Sequence, residues 1–199
     1  MIAALALLRA FEPLVPSYPV VRAQHAPSEA RLLDRHGRLL HERRVDASER
    51  RLAWTPLAEI SPALLAAVIA IEDRRFASHA GVDWLALGGA ALATLRGEPR
   101  GASTLTMQLA ARLDPQLRAA RGARSPAQKL GQMRRARAIE RSWSKPEILE
   151  AYLNLVSYRG ELIGVNAAAR GLFDKAPHAL DASEAWLLAA SLRAPSAEP

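Results

Sequence analysis

The chain has 199 residues, of which half are hydrophobic, and carries 27 Lys and Arg against 20 Asp and Glu, a formal net charge of +7. This length and apolar content, rich in alanine and leucine, exclude a disordered protein and favour one helical globular core. The basic excess indicates an anionic partner, for which phosphate, nucleic acid and an acidic membrane surface all qualify. Cysteine is absent, which excludes disulfides and thiolate chemistry.

Residues 1–29 are expected to lie outside the folded domain, as an apolar segment followed by a linker. Met1–Leu8 is apolar but too short to cross a bilayer, which needs about 20 residues. The remnant of a membrane anchor and a short interfacial helix both fit this stretch. Residues 13–29 contain several prolines and are typical of a linker.

A small β-hairpin is predicted within residues 31–42. The turn signal His36-Gly37 separates two short apolar pairs there, as in a tight antiparallel connection. Another strand is expected near residues 51–54.

Glu72 is the most informative single residue of the chain. Ser61 and Pro62 provide an N-cap and a first-turn proline for a helix that ends at Glu72. Three apolar residues share the helical face of Glu72: Leu65, Val68 and Ile69. A carboxyl carried from an apolar face into a charged cluster is a candidate general base or acid. For an isolated glutamate, a helix end that merely turns polar is the alternative.

Two further helices are predicted before residue 114. Residues 82–95 form the first, with a predicted packing face of Trp84, Leu87, Ala91 and Leu95. The second begins after Ser103, its expected N-cap, and has the apolar stripe Leu105, Leu109 and Leu113. Thr104 and Gln108 are four residues apart and align on another face of that helix.

A long basic helix is predicted over residues 125–142. One stripe at helical spacing consists of Lys129, Gln132, Ala136 and Glu140. Its other faces carry arginines, for which a solvated surface is the ordinary interpretation: Arg134, Arg135, Arg137 and Arg141. Shorter helices are expected from Ser144, over 166–173 and over 183–192, the last capped by Ser183.

Five segments resemble, in order and with plausible spacing, the five motifs of the peptidoglycan glycosyltransferases, glycosyltransferase family 51: residues 72–83, 101–110, 124–140, 145–154 and 164–175. The Ser-Thr-Leu-Thr-Met-Gln form of residues 103–108 and the Asp-Arg-x-Gly hairpin are most similar to one subgroup, the penicillin-binding proteins 1C. Any one motif alone is a weak signal, but a chance match of all five is negligible.

The resemblance implies a mainly α fold over residues 30–195. It implies a lysozyme-like helical head lobe, a smaller membrane-facing jaw lobe and a short N-terminal β-hairpin. The implied activity is that of an inverting glycosyltransferase, which polymerises lipid II into β-1,4 glycan strands and releases undecaprenyl pyrophosphate. Its partners would be this lipid-linked precursor, the growing strand and the membrane surface, on the periplasmic side of the inner membrane. The positive charge then requires no nucleic acid.

The resemblance also assigns roles to residues. Glu72 would be the base that deprotonates the incoming sugar 4-hydroxyl, since an α-linked pyrophosphate is already a good leaving group. Arg124 and Lys129 match basic positions that would stabilise charge on the pyrophosphate, Arg124 through two parallel hydrogen bonds. The implied substrate-binding residues are Asp73, Arg75, Phe76, His79, Ser103, Thr104, Thr106, Gln108, Arg112, Arg124, Lys129, Gln132 and Glu140.

Two positions depart from the family pattern, and one ligand is left open. Many members carry a second glutamate where this chain has Gln132, which cannot ionise. Many carry Lys or Arg where this chain has Ala111; the basic group stands one residue later, at Arg112, about 100° around the helix. No protein-only metal site is expected, but Mg²⁺ on the substrate pyrophosphate would find Asp73 as a nearby ligand.

Three other functions fit parts of the sequence. A lysozyme-like lytic enzyme would cleave glycan with one glutamate but would not need Arg124 and Lys129. A non-catalytic interaction module is supported by Ala111 and Gln132. Nucleic-acid binding through the arginine-rich helix lacks a recognised motif and interleaved aromatic residues.

Overall fold

The computed structural model describes residues 13–98, 101–118 and 125–192, and this part of the chain is mainly helical, as predicted. Its eight α-helices are α1 (Tyr18–Ala23), α2 (Pro62–Glu72), α3 (Trp84–Leu95), α4 (Leu105–Leu113), α5 (Pro126–Ser142), α6 (Lys145–Leu155), α7 (Val165–Phe173) and α8 (Ala182–Ser191). Its four strands are β1 (Glu29–Leu33), β2 (Leu39–Arg44), β3 (Arg50–Arg51) and β4 (Leu162–Ile163).

Among the described residues, no helix combines the length and the apolar character that crossing a bilayer requires.

The chain divides into two compact units. The described residues of Met1–Tyr18 and Glu72–Tyr152 form the first, which we call the Glu72 unit. Those of Pro19–Ile71 and Leu153–Pro199 form the second, which we call the hairpin unit.

The hairpin unit contains the predicted β-hairpin. Strands β1 and β2 pair antiparallel, with Glu29 opposite Arg44 and an irregularity after Leu32. Asp34 Oδ1 accepts the backbone N–H groups of His36 and Arg38 and so closes the turn. The strand predicted at 51–54 is shorter and begins earlier, because β3 makes only a two-residue parallel pairing with β4.

Buried side chains connect distant segments of the hairpin unit. The Asn154 amide accepts from Thr55 N at 2.8 Å and donates to Thr55 O at 2.9 Å. Ser61 donates through its backbone N–H to Pro177 O and through its hydroxyl to Leu180 O. These bonds satisfy backbone groups that would otherwise be buried at a cost of about 1–3 kcal/mol each.

The segment predicted to be a linker is in part folded. Residues 18–23 form α1, and the Trp143 indole N–H donates to Pro16 O at 3.1 Å within the Glu72 unit. The Tyr18 ring lies edge-on to Trp143, and its hydroxyl donates to Glu150. Proline content misled the prediction, because prolines precede α1 and open it instead of excluding it. The segment 1–12 lies outside the described residues.

Several helices start at a side-chain cap, and two of these caps differ from prediction. Thr104, not Ser103, caps α4 by accepting from Met107 N, and Asp181, not Ser183, caps α8 by accepting from Glu184 N. Ser125 caps α5 in a reciprocal pair with Gln128. Neighbouring Ser, Thr and Asp compete for one capping position, which sequence preference alone does not resolve.

Helix α3 does not pack as predicted. Of its predicted packing face, Trp84 is 59% exposed and Leu95 is 85% exposed, and the buried residue of the helix is Ala90. Leu85 and Leu92 are also exposed. The apolar face of α3 is therefore directed away from the protein core.

The Glu72 unit is packed around the close approach of Gly81 to α5. A Cβ atom at Gly81 would lie 2.7 Å from the backbone carbonyl atoms of Ala136, and Gly81 has a φ of +87°. Val82, Met107 and Ala136 form the buried cluster beside this contact. Both the backbone conformation and the packing therefore require glycine at position 81.

The turn between α4 and α5 is held against α5 by two glutamines. Gln132 Nε2 donates to Leu117 O at 2.8 Å, and Gln128 Nε2 donates to Arg118 O at 2.8 Å. The Leu117 side chain contacts Gly131, where a Cβ atom would lie 2.6 Å from Leu117 Cδ2. The Gln132 side chain thus faces a backbone carbonyl.

We expect Gly81→Ala to lower the free energy of unfolding by about 3 kcal/mol, since it adds a steric clash to the cost of a positive φ. Gly97→Ala is the matched control, with a φ of +81° and nothing within 4 Å of the added Cβ. It should cost about 1 kcal/mol. Urea unfolding measures both, and equal losses would contradict the proposed clash.

We expect Gln132→Glu to destabilise the protein by about 3 kcal/mol at pH 7, because a buried carboxylate would face the Leu117 carbonyl without a donor. Burial raises the pKa of the introduced carboxyl above its unfolded value of about 4.3, so the loss should shrink as the pH falls through the raised folded-state pKa and should be smallest below about 4.3, where the protonated group donates. The more exposed Gln128→Glu is the control. Unfolding curves at pH 4 and pH 7 that show the same loss would refute this arrangement.

Candidate active site

Glu72, the last residue of α2, is held by an amide from α4. Gln108 Nε2 donates to Glu72 Oε2 at 2.8 Å. Gln108 Oε1 in turn accepts from the Tyr152 hydroxyl at 3.1 Å, and Tyr152 is fully buried on α6. The structure therefore brings Glu72 of the first motif and Gln108 of the second motif together. It adds Tyr152, which the sequence analysis did not single out.

Asp73 faces the protein interior. Its two carboxylate oxygens lie 2.9 and 3.0 Å from His79 Nε2, and Oδ2 also accepts from Leu105 N at 3.0 Å. Asp73 is 6% exposed. Asp73 and His79 thus fix the loop after Glu72 to the start of α4, and the prediction that they bind substrate has no support from their geometry.

Arg75 and Phe76 follow in the same loop. Arg75 Nε donates to Asp83 Oδ2 at 2.8 Å, and Asp83 also caps α3 by accepting from Ala86 N. Phe76 is buried beneath the ammonium group of Lys145, whose Nζ lies 4.4 Å from the ring centroid. The Arg75 side chain is 41% exposed and can reach an anion, whereas Phe76 supports the loop.

Of the two residues that precede α4, Thr104 is buried and Ser103 is partly exposed. Thr104 Oγ1 donates to Gly81 O at 2.7 Å. Because Thr104 provides the cap, Ser103 is available to Lys129, whose Nζ donates to Ser103 Oγ at 2.5 Å. Ser103 and Lys129 are both partly exposed and form a hydroxyl–ammonium pair able to contact a phosphate oxygen.

Glu140 is engaged within the protein. Its Oε1 accepts from Thr106 Oγ1 at 2.6 Å and from Lys145 Nζ at 2.8 Å. Lys145 Nζ also donates to His79 O at 2.7 Å. Thr106 is fully buried, and this charged cluster joins α4, α5 and α6, so that substrate binding by Thr106 and Glu140 stays a prediction.

The two departures from the family pattern have distinct structural settings. Gln132 is 2% exposed and bound to Leu117 O, so the prediction that it contacts substrate is not supported. Helix α4 continues regularly to Leu113, with Ala111 buried and Arg112 partly exposed. Arg118 donates to both Ala111 O and Arg112 O and so places a second guanidinium at this helix end.

All described members of the predicted site belong to the Glu72 unit, and Arg124 lies outside the described residues. Sequence reasoning missed Lys145 and Tyr152 as part of the site. Both stand within the fourth motif, but a single sequence contains no signal of their contacts with Glu140 and Gln108.

A separate open cavity of about 350 Å³ lies beside the first-motif loop in the same unit. Its lining includes Arg75, His79, Trp84 and Arg137. Glu72 does not line it, so the cavity is not where the carboxylate would act.

Comparison with known proteins identifies the family. The model of the family described as Transglycosylase matches residues 36–199. The biosynthetic peptidoglycan transglycosylase of Rhodospirillum centenum is 43% identical over 145 residues, 71% of this chain and 60% of that protein. The enzyme of the same name from Pasteurella multocida is 40% identical over 143 residues, 71% of this chain and 56% of that protein.

A longer relative covers more of this chain. Penicillin-binding protein 2D of Bacillus subtilis is 34% identical over 185 residues, 92% of this chain but 26% of that protein. The chain thus spans about three fifths or less of the length of these relatives, and similarity to the 1C subgroup stays a prediction. Together with the family match over residues 36–199, these similarities confirm the resemblance carried by the five motifs: the chain belongs to the transglycosylase family of peptidoglycan glycosyltransferases.

Proposed function

We propose that the chain polymerises the lipid-linked disaccharide-peptide precursor, lipid II, into β-1,4 glycan strands as an inverting glycosyltransferase. The observation that carries the proposal is the Glu72 carboxylate, held by Gln108 at 2.8 Å in a chain of this family. An amide N–H donor stabilises the ionised form of a carboxylate, which is the form a general base requires.

The proposed reaction is a single displacement. Glu72 takes the proton of the acceptor sugar 4-hydroxyl as that oxygen forms a bond to the anomeric carbon of the donor. The anomeric carbon–oxygen bond to pyrophosphate breaks on the opposite face, and undecaprenyl pyrophosphate departs with the electron pair. Attack opposite the α-linked leaving group gives the β linkage.

Cations of the Glu72 unit would stabilise the charge that develops on the leaving pyrophosphate. Lys129, positioned by Ser103, and Arg112 at the partly exposed end of α4 are the described candidates. Arg124 stays a predicted third, on the sequence resemblance alone.

Mg²⁺ bound to the pyrophosphate stays a prediction, and Asp73 does not fit as its protein ligand. Its carboxylate is buried and both oxygens already accept hydrogen bonds from His79 or Leu105. Within the described ranges, no group of three His, Asp or Glu side chains is arranged to hold a metal ion.

We further propose that α3 is part of a membrane-facing jaw lobe and that the Glu72 unit contributes to a lysozyme-like head. Leu85 and Leu95 are 75% and 85% exposed on α3, and an exposed apolar stripe of this kind is typical of an interfacial helix. The proposed partners are the lipid-linked substrate and the growing strand, and the proposed location is the periplasmic face of the inner membrane. Nucleic acid is not among the proposed partners.

We expect Glu72→Gln to keep the fold and to lower polymerisation by at least about 100-fold, because the amide matches the carboxylate in shape but cannot take a proton. The control is Glu98→Gln, at an exposed position of the same unit, which should retain full activity. The assay incubates purified protein with labelled lipid II in detergent and resolves glycan length on a gel.

The same assay separates the alternatives. Cleaved glycan from a polymeric substrate, without polymer from lipid II, would identify a lytic enzyme. A folded protein that forms neither product would be a non-catalytic interaction module. Retention of more than a tenth of wild-type rate by Glu72→Gln would refute its role as base.

We expect the double change Leu85→Ser, Leu95→Ser to weaken binding to vesicles of phosphatidylglycerol and phosphatidylcholine by about tenfold or more, because each exposed leucine would lose its burial in the bilayer interface. Leu172→Ser, Leu187→Ser is the matched control at exposed leucines of the hairpin unit. Sedimentation with vesicles measures the affinity, and equal weakening by both pairs would remove α3 as the contact.

A further inference from the structure

We propose that Tyr152 is a positioning residue, which together with Gln108 adapts to the protonation state of Glu72 during turnover. The proposal rests on the proposed function, since it concerns the group taken there as the base. Three helices supply the three side chains: α2 supplies Glu72, α4 supplies Gln108 and α6 supplies Tyr152. They are joined in series by hydrogen bonds of 2.8 and 3.1 Å.

The ionised state of Glu72 dictates the direction of both hydrogen bonds. A carboxylate only accepts, so Gln108 must turn its NH₂ group towards Glu72. The amide oxygen then faces Tyr152, whose hydroxyl must donate. The hydrogen bond from the Tyr152 hydroxyl polarises the Gln108 amide and so strengthens the hydrogen bond that this amide donates to Glu72.

The protonated state requires the opposite directions. Once Glu72 has taken the proton of the acceptor hydroxyl, it carries an O–H that donates to a carbonyl oxygen. A half-turn of the Gln108 amide presents Oε1 to Glu72 and NH₂ to Tyr152. The tyrosine hydroxyl oxygen can accept as well as donate, so the pair satisfies both states.

Burial makes this adaptability necessary. Tyr152 is fully buried, and a buried hydroxyl group left without a hydrogen-bond partner is destabilised. Phenylalanine at position 152 would retain the ring packing but could neither donate nor accept. Tyr152→Phe therefore isolates the hydroxyl.

The chain contains a matched control. Tyr158 is also fully buried, but its hydroxyl finds no hydrogen-bond partner among the described residues, and burial raises the pKa of this phenol above its ordinary value. Tyr158→Phe removes the same atom from an equally buried ring of the hairpin unit.

We expect Tyr152→Phe to lower kcat several-fold to about tenfold, to leave KM for lipid II nearly unchanged, and to move the acidic limb of the pH–rate profile upward by about half a pH unit or more. Tyr158→Phe should change none of these. In a Gln108→Met background, Tyr152→Phe should have no further effect, because the tyrosine acts through the amide. An equal effect in both backgrounds would overturn the proposal.

A second readout does not depend on turnover. The side-chain ¹⁵N–¹H signals of Gln108, assigned by their loss in Gln108→Met, should titrate with pH in the wild type and stay constant in Glu72→Gln. In Tyr152→Phe the midpoint of this titration should move upward. An unmoved midpoint would overturn the inference even if the wild type polymerises, whereas a moved midpoint in a protein that makes no polymer would uphold the inference and refute the proposed function.

Discussion

The hydrogen bond from Leu105 N to Asp73 Oδ2 is the contact on which the site geometry depends. Glu72 immediately precedes Asp73, and Gln108 follows Leu105 by three residues, so this one bond at 3.0 Å brings the carboxylate and its amide partner together. His79 holds the other side of the Asp73 carboxylate. A buried carboxylate that accepts several hydrogen bonds is strongly oriented, and it transmits that orientation to the residue beside it.

The polar residues of the motifs therefore fall into two groups. One group holds the scaffold from within, and its members are Asp73, His79, Thr104, Thr106 and Glu140. The other group remains at least partly exposed and comprises Glu72, Ser103, Lys129 and Arg112. Since both groups appear in the sequence as equally polar stretches, a motif match by itself does not distinguish a residue that binds substrate from one that supports it.

Local patterns predicted local structure well. Ser61 and Pro62 opened the helix that ends at Glu72, and the turn at Gly37 marked the hairpin, because both signals act within a few residues. The exposed apolar face of α3 was misassigned, since helical periodicity identifies an apolar stripe but not the medium that covers it. The burial of Gln132 and the contact of Tyr152 with Gln108 depend on packing between helices far apart in sequence, which periodicity does not encode.

The N-terminus of α4 has a consequence for how an anion is held. Helix N-termini commonly bind phosphate through free amide groups and the helix dipole. In α4, the N–H of Leu105 donates to Asp73 and that of Met107 donates to Thr104, so neither group is available to a bound anion. A pyrophosphate would therefore depend on long, partly solvated side chains such as Lys129. Attraction of that kind is screened over about 8 Å at physiological ionic strength, so in the proposed reaction the capture of pyrophosphate would depend on the salt concentration.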